Sequence, residues 1–142
     1  MFQGTSNLTI DAKGRLSMPT KHRDALAAQC EGRVTLTRHP DGCLLIYPRP
    51  TWEAKREQLV RLPASARDLQ RLLLGSAQDV EFDSAGRVQI SAELREVAGL
   101  QHDVKLMGMG THFELWDAER LRTHEQAHAD ALLAGPAAEF TF

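Results

Sequence analysis

The amino-acid sequence predicts a β-dominated α+β fold in which two tandem strand-turn-strand-helix units close on one shared, barrel-like core. Three observations lead to this prediction. A five-residue turn occurs twice, as Asp11–Arg15 and Asp83–Arg87, with Asp, Gly and Arg repeated at a constant offset of 72 residues. Apolar and polar residues alternate on both sides of each turn, as in half-buried strands. Two strand pairs with one apolar face each are not stable alone in water, so the units should close on each other.

Each turn is built by an aspartate at its first position and a glycine at its fourth. The carboxylate accepts hydrogen bonds from the backbone N–H groups ahead of it, and the glycine supplies the positive φ that leaves a type I turn. These turn-forming residues are Asp11 and Gly14 in the first unit and Asp83 and Gly86 in the second.

The alternation around each turn predicts a β-hairpin with one apolar face. That face comprises Leu8, Ile10, Leu16 and Met18 in the first unit and Val80, Phe82, Val88 and Ile90 in the second. Arg15 and Arg87 then lie on the opposite face, where a guanidinium can reach a phosphate or a guanine. Alternatively, each arginine pairs with the aspartate of its own turn and locks the hairpin. This alternative suits Arg87, which stands among acidic residues, better than Arg15.

A helix follows each hairpin, and two further strands and a helix complete each unit. In the first unit Pro19-Thr20 opens a helix that runs to about Gln29, with Lys21, His22 and Arg23 in its first turn. Positive charge there opposes the helix dipole, a mild cost that a nearby anion would offset. Strands are predicted at Val34–Leu36 and Leu44–Tyr47, and Thr51 is predicted to cap the next helix.

The second unit repeats this plan after a connecting helix that begins near Ser65 and stops at Gly75. Strands are predicted at Val104–Met107 and Phe113–Trp116, and helix caps at Ser91 and Asp117. We therefore expect a first unit over residues 1–62, a connecting helix over 63–78, a second unit over 79–135 and a tail over 136–142, folding as one cooperative domain.

Composition excludes several classes of protein. The chain has 42% hydrophobic residues but no long apolar run, which is typical of a globular protein and not of a membrane-spanning one. Its amino terminus lacks the basic-then-apolar pattern of a secretory signal, so we expect a cytosolic protein without a membrane partner. Cys30 and Cys43 are too few for a disulfide scaffold and match no common zinc pattern, so we expect thiols and no metal. We expect no cofactor, no small-molecule substrate and no catalytic residue.

The net charge of −2 conceals an uneven distribution of charge. Residues 1–72 carry twelve Lys and Arg against seven Asp and Glu, a net +5, whereas residues 73–142 carry five against twelve, a net −7. Such asymmetry allows one basic and one acidic surface on the same protein. The negative net charge therefore does not exclude nucleic-acid binding, and charge alone does not establish it.

The repeated motif resembles the DNA-binding motif of AbrB-type transition-state regulators. In the second unit it reads Asp83-x-x-Gly86-Arg87-Val88-x-Ile90, then Glu93-Leu94-Arg95 and Gly99-Leu100, and the first copy ends in Pro19. Over nearly its whole length the chain is similar to the MraZ family, in which two such motifs stand in tandem. The matching segments are Met1-Phe2-x-Gly4, Asp11-x-Lys13-Gly14-Arg15, Leu44-x-Ile46-Tyr47-Pro48 with Trp52, Arg71–Ala77 and Phe113–Asp117.

This resemblance implies a fused pair of AbrB-like half-barrels, a pseudobarrel capped by helices, that assembles into a ring of several subunits. It implies a sequence-specific DNA-binding regulator rather than an enzyme. Such a regulator binds repeated short boxes in a promoter, usually its own, ahead of cell-division and cell-wall genes, and usually represses it. The implied partners are double-stranded promoter DNA with direct repeats and further copies of the chain, in the cytoplasm and on the nucleoid.

We expect a DNA-facing surface that converges on the first turn and the following helix start, comprising Lys13, Arg15, Lys21 and Arg23. Arg15 is the candidate for contact with base edges, and the other three residues would hold phosphates. Arg87 and Arg95 are weaker candidates, because Ala85 replaces the lysine of the first turn and Ser91 stands where the motif often has proline. The second unit is therefore expected to serve mainly as support.

Two alternatives remain open. His124-Glu125-x-x-His128 on the last predicted helix spells the zinc-peptidase signature. Its third ligand is missing at metzincin spacing, where Ala131 and Ala134 stand, and little chain remains for a distant glutamate, so this alternative is remote. The other alternative is an antitoxin-like module that binds a protein toxin, which keeps the fold and gives the arginines no role on DNA.

Overall fold

The computed structural model of the chain describes residues 1–142 and contains eight strands, six α-helices and one 3₁₀ turn. The strands are β1 (Thr5–Thr9), β2 (Arg15–Ser17), β3 (Arg33–Arg38), β4 (Leu44–Pro48), β5 (Gln78–Glu81), β6 (Arg87–Gln89), β7 (Asp103–Gly108) and β8 (Phe113–Asp117). The helices are α1 (Thr20–Cys30), α2 (Arg49–Val60), α3 (Arg67–Leu73), α4 (Ala92–Val97), α5 (Ala118–Ala134) and α6 (Pro136–Glu139), and the 3₁₀ turn (Ala64–Ala66) precedes α3. Helices hold more residues than strands, so the fold is mixed α+β and the prediction that strands dominate is wrong.

The strands of the two units interleave in one six-stranded antiparallel sheet and one two-stranded antiparallel ribbon. The sheet has the order β1-β7-β8-β4-β3-β5, and the ribbon pairs β2 with β6. β1 of the first unit therefore pairs with β7 of the second, and β5 of the second unit pairs with β3 of the first. Neither half of the chain can complete the sheet or the ribbon alone.

The two predicted hairpins are wrong in their pairing, although the strands and turns lie where the sequence places them. The N–H of Asp11 donates to the carbonyl of Arg15 (3.0 Å), but beyond this turn β1 and β2 share only an isolated bridge between Ile10 and Leu16. β1 continues into the large sheet and β2 into the ribbon. Period-two alternation reports which face of a strand is buried and carries no information about its hydrogen-bonding partner.

Both units contribute to one hydrophobic core. Leu16 of β2 and Val88 of β6 are fully buried and pack into this core from the ribbon. The sheet contributes Val34, Leu36, Leu44, Ile46, Val104, Leu106, Phe113 and Leu115. This shared core is what two incomplete strand pairs require in water.

Helices cover the outer side of the sheet in two places. α2 and α3 pack there through a cluster made by Leu45, Tyr47, Trp52, Leu59 and Leu73. α5 packs beside them, where Leu121 meets Cys43 and Trp116. Burial, with a smaller effect of Glu114, raises the pKa of the Cys43 thiol, so this cysteine is an inert core residue.

Two of the three predicted helix caps are confirmed. The N–H of Leu94 donates to Ser91 Oγ (3.2 Å), and the N–H of Arg120 donates to Asp117 Oδ2 (3.1 Å). Thr51 is not a cap, because α2 begins earlier, after Pro48, and has a second proline in its first turn. Proline suits this place because the first N–H groups of a helix have no helical partner.

The second half of α5 extends away from the body of the protein. Leu121 is the one buried residue of this helix, and the large apolar side chains beyond it are each more than half exposed: Leu132, Leu133, Phe140 and Phe142. None of the six helices has both the length and the apolar character needed to cross a membrane.

Candidate nucleic-acid interface

The two repeated turns have the same local structure. Asp11 Oδ1 accepts hydrogen bonds from the N–H groups of Lys13 (3.0 Å) and Arg15 (2.9 Å), and Asp83 Oδ1 accepts the corresponding bonds from Ala85 and Arg87 (2.9 Å each). The N–H of the arginine, more than its guanidinium, holds the pKa of each aspartate below its usual range. Both aspartates therefore stay ionised and fix their turns equally.

Each turn arginine pairs with its own aspartate and still keeps hydrogen-bonding capacity. Nε of Arg15 donates to Asp11 Oδ2 and Nε of Arg87 donates to Asp83 Oδ2, both at 2.8 Å. The terminal nitrogens of the two guanidinium groups make no hydrogen bond within the chain, and the side chains are 27% and 33% exposed. The two interpretations of these arginines are therefore compatible, since the aspartate orients a guanidinium whose outer nitrogens remain available.

The ribbon brings the two turn arginines onto one surface. Leu16 lies opposite Val88 and both are buried, so the residues on either side of them face outward. These outward residues are Arg15 opposite Gln89 and Ser17 opposite Arg87. Arg15 and Arg87 are thus diagonal neighbours on adjacent strands, about 7–8 Å apart at Cα. Sequence reasoning missed Ser17 and Gln89, although their place between apolar residues in the two repeats marks them as outward-facing.

The ribbon continues into both turns. The N–H of Met18 donates to the carbonyl of Gly86 (3.1 Å), and the N–H of Ile90 donates to the carbonyl of Gly14 (2.9 Å). Gln89 Nε2 also donates to the carbonyl of Lys13 (2.7 Å). Each turn is therefore held by the strand that belongs to the other unit.

Arg23 and Arg95 each contact the turn that belongs to the other unit. Arg23 Nη1 donates to the carbonyl of Ala85 (3.1 Å), and its side chain lies so close to Gly86 that a Cβ there would overlap it. Arg95 lies against the first turn, where its Cζ is 2.7 Å from the position a Cβ on Gly14 would take. The expected convergence of Arg23 with Lys13 and Arg15 is therefore wrong, because the strands pair across the units and carry each helix start to the opposite turn.

Five of the six candidate cations accordingly form two groups that flank the ribbon. Lys13, Arg15 and Arg95 lie at the first turn, and Arg23 and Arg87 lie at the second. Lys21 is exposed on α1 and lies near Gly4 of the N-terminal segment. Only Arg15 and Arg87 make an ion pair with a carboxylate, so four cations at this surface lack an acidic partner within the chain.

The His-Glu-x-x-His segment does not form a metal centre. The His124 and His128 rings stack 4.1 Å apart, and His128 Nδ1 contacts the carbonyl of His124 at 2.8 Å. The other face of His124 lies against Trp116, with Asp41 3.9 Å from His124 Nε2. No three His, Cys, Asp or Glu side chains are arranged to hold a metal ion. The histidines pack at the base of α5, and the peptidase signature has no matching geometry.

Comparison with known proteins also divides the chain into two similar segments. Two consecutive segments, residues 1–74 and 73–141, match the family described as "MraZ protein, putative antitoxin-like". A protein of Herminiimonas arsenicoxydans named transcriptional regulator MraZ is 60% identical over 135 residues, which cover 95% of this chain and 93% of that protein. A protein of the same name from Bordetella pertussis is 66% identical over 125 residues, which cover 88% of this chain and 88% of that protein. Another, from Acidovorax sp. strain JS42, is 55% identical over 142 residues, which cover 100% of both chains.

Proposed function

The chain belongs to the MraZ family, whose relatives are named as transcriptional regulators and not as enzymes, and we propose that it regulates transcription by binding promoter DNA through the β2–β6 ribbon. The outer face of the ribbon carries this proposal, because Arg15 and Arg87 stand there diagonally with their terminal nitrogens unbonded. The major groove of B-DNA admits a two-stranded ribbon, and a guanidinium can pair with the O6 and N7 of a guanine.

The flanking cations hold the phosphates on either side of that groove. Lys13, Lys21, Arg23 and Arg95 have no acidic partner in the chain, so their charge is available to the DNA backbone. Such contacts fix the register of the ribbon without reading sequence. Arg23 and Arg95 have a second role, since each also supports the turn that carries a base-reading arginine.

Both copies of the motif contribute to DNA binding in this proposal. The matching bond lengths at Asp11 and Asp83 give the two arginines the same support, so the second copy is not merely a scaffold. Acidic residues of the second half outside its turn would repel DNA and so keep it on the ribbon side of the protein.

One ribbon offers few contacts, so a single copy should bind weakly. A ring that presents several ribbons to direct repeats gains affinity through effective concentration. We propose such a ring of pseudobarrels, each closed by the sheet and the ribbon, bound to repeated short boxes. The target is the protein's own promoter, which lies ahead of cell-division and cell-wall genes. Binding takes place on the nucleoid and represses transcription from that promoter.

A gel shift with the region upstream of the gene tests the proposal. The wild-type chain should retard this DNA and not a scrambled version of equal length. Arg15→Ala and Arg87→Ala should each lose about 1–3 kcal/mol of discrimination, a drop in preference of about 5- to 150-fold. Arg122→Ala is the matched control, because Arg122 is an exposed arginine paired with Glu119 on α5. Equal binding of promoter and scrambled DNA by the wild type would overturn the proposal.

The same experiment separates this function from an antitoxin-like role. A module that binds a protein toxin would show no preference for the upstream region, and Arg15→Ala would leave its behaviour unchanged. Loss of promoter preference on substituting either ribbon arginine favours the regulator.

A further inference from the structure

The outward face of the β2–β6 ribbon has a local twofold axis that one pair of residues breaks. Leu16 and Val88 occupy the same place in the 72-residue repeat and lie opposite each other, so the axis passes between them. It relates the two turn arginines to each other, and it relates Ser17 to Gln89. A twofold-symmetric protein surface reads a palindromic site. The unequal pair Ser17 and Gln89 is therefore where the ribbon acquires a direction.

The amide of Gln89 has a fixed orientation. Its Nε2 donates to the carbonyl of Lys13 (2.7 Å) and at longer range to the carbonyl of Ile90 (3.4 Å). A carbonyl oxygen only accepts, so the amino group of the amide faces the protein, and Oε1 makes no hydrogen bond within the chain. A free glutamine both donates and accepts, whereas Gln89 offers DNA only an acceptor. Ser17 is also exposed, and its hydroxyl can donate or accept, so it does not discriminate between the two.

Gln89 also makes the surroundings of the two turns unequal. Arg23 donates through Nη1 to the carbonyl of Ala85 (3.1 Å). The equivalent carbonyl of the first turn is that of Lys13, and Gln89 occupies it. Arg95 bonds a different carbonyl through Nε (3.1 Å), and its terminal nitrogens make no hydrogen bond within the chain. The side of the first turn therefore presents an acceptor and a less engaged guanidinium that the side of the second turn lacks.

The acceptor of Gln89 lies beside the arginine of the first turn. Gln89 is directly opposite Arg15 in the ribbon. The neighbouring pair is hydrogen-bonded, since the N–H of Ile90 donates to the carbonyl of Gly14, so Arg15 and Gln89 form a non-hydrogen-bonded pair. Side chains of such a pair are close, with Cβ atoms about 4.5–5.5 Å apart. One base-pair step is about 3.4 Å, so Gln89 meets the base pair that Arg15 contacts or the adjacent one.

We infer that Gln89 is a specificity-determining residue whose Oε1 accepts a hydrogen bond from the exocyclic amino group of adenine or cytosine. Every base pair shows one such amino group in the major groove, and the keto oxygen of thymine or guanine stands on the other strand. An acceptor therefore binds when the amino group is on one given strand and is repelled by the keto oxygen when the pair is reversed. Ser17 imposes no such choice. The inference rests on the proposed function and deepens it, because a site with a direction is what direct repeats require.

A fluorescence anisotropy titration tests the inference with promoter DNA in which each base pair of a box is replaced in turn by the other three. At one position, beside the guanine preference that Arg15→Ala abolishes, the wild type should prefer adenine and cytosine to guanine and thymine by about 5- to 150-fold. Gln89→Leu should lose this preference and keep the guanine preference. Gln29→Leu is the matched control, because Gln29 is exposed at the far end of α1.

Base analogues separate reading of the base from support of the turn, because Gln89→Leu also frees the carbonyl of Lys13. Purine lacks the amino group of adenine, and pyrimidin-2-one lacks that of cytosine. The analogue of the base at that position should weaken the wild type by about 2- to 12-fold, the value of one hydrogen bond, and leave Gln89→Leu unchanged. The analogue that has this effect identifies which of the two bases is bound. An equal loss in both chains would overturn the inference, since Gln89 would then act only on the turn.

The wild-type titrations distinguish failure of this inference from failure of the proposed function. Equal binding of promoter and scrambled DNA would overturn the proposed function and the inference with it. A wild type that prefers its promoter but accepts all four bases at every position other than those of the arginines would overturn only the role of Gln89. The same holds if Gln89→Leu retains the preference for adenine and cytosine.

Discussion

Replacement of Gly86 by alanine tests whether Arg23 supports the second turn. Gly86 has a φ of +75°, and a Cβ on it would overlap Cδ of Arg23. The arginine can swing aside, but it then loses its 3.1 Å hydrogen bond to the carbonyl of Ala85. Backbone strain at positive φ costs about 1–2 kcal/mol and the lost hydrogen bond about 0.5–1.5 kcal/mol. We therefore expect Gly86→Ala to lower the free energy of unfolding by about 1.5–3.5 kcal/mol.

A double-mutant cycle separates the two contributions. In an Arg23→Ala background the same substitution should cost only the strain, about 1–2 kcal/mol, so the pair should couple by about 0.5–1.5 kcal/mol. Urea unfolding followed by circular dichroism measures all four chains. Gly110→Ala is the matched control, because Gly110 also has positive φ but a Cβ there would meet only Met1 Cε, at an ordinary contact distance of 3.7 Å. Additive costs for Arg23 and Gly86 would refute the crossed contact.

Three further predictions concern charge, protonation and packing. Lys21→Ala should weaken promoter and scrambled DNA about equally and reduce the slope of log K against log salt by about 0.9, measured by fluorescence anisotropy at several salt concentrations. Burial, helped by Lys21, lowers the pKa of His22 from 6.5, so the unfolded chain binds more protons. The stability that neutral His22 contributes is therefore complete above about pH 6.5 and is lost as pH falls below that value. Urea unfolding should show that the free energy of unfolding falls more steeply from about pH 7.5 to 5.5 in the wild type than in His22→Leu. Leu16→Ala should cost about 2–5 kcal/mol because Leu16 is fully buried, whereas Val60→Ala at an exposed site should change stability by less than about 0.5 kcal/mol, both measured by urea unfolding.

Local features of this fold could be predicted from sequence because their causes are local. Ser91 and Asp117 cap helices through bonds to N–H groups three residues ahead, and Asp11 and Gly14 make a turn within five residues. Thr51 failed as a cap because the nearby Pro48 sets the helix start earlier, so a stronger local determinant displaced a weaker one.

Pairing between strands could not be predicted from the same patterns. Ile10 and Leu16 are both buried, as the alternation requires, yet their strands belong to different sheets. A hairpin and a crossed arrangement bury identical residues, and the choice depends on contacts about 72 residues apart in sequence. The position of Arg23 was misjudged for this reason, since it follows from the pairing and not from the helix in which it stands.

The interleaved ribbon makes the proposed DNA-binding surface depend on folding of the entire chain. Arg15 comes from one half and Arg87 from the other, and the strands that carry them meet only when both halves share the core. Partial unfolding of either half therefore removes the whole of the proposed DNA-binding surface at once. By linkage, DNA bound to the ribbon as proposed should stabilise every element of the fold, including helices that it does not contact. Under the proposed function, conditions that weaken the core would therefore also lower occupancy of the promoter, because the DNA-binding surface exists only in the folded chain.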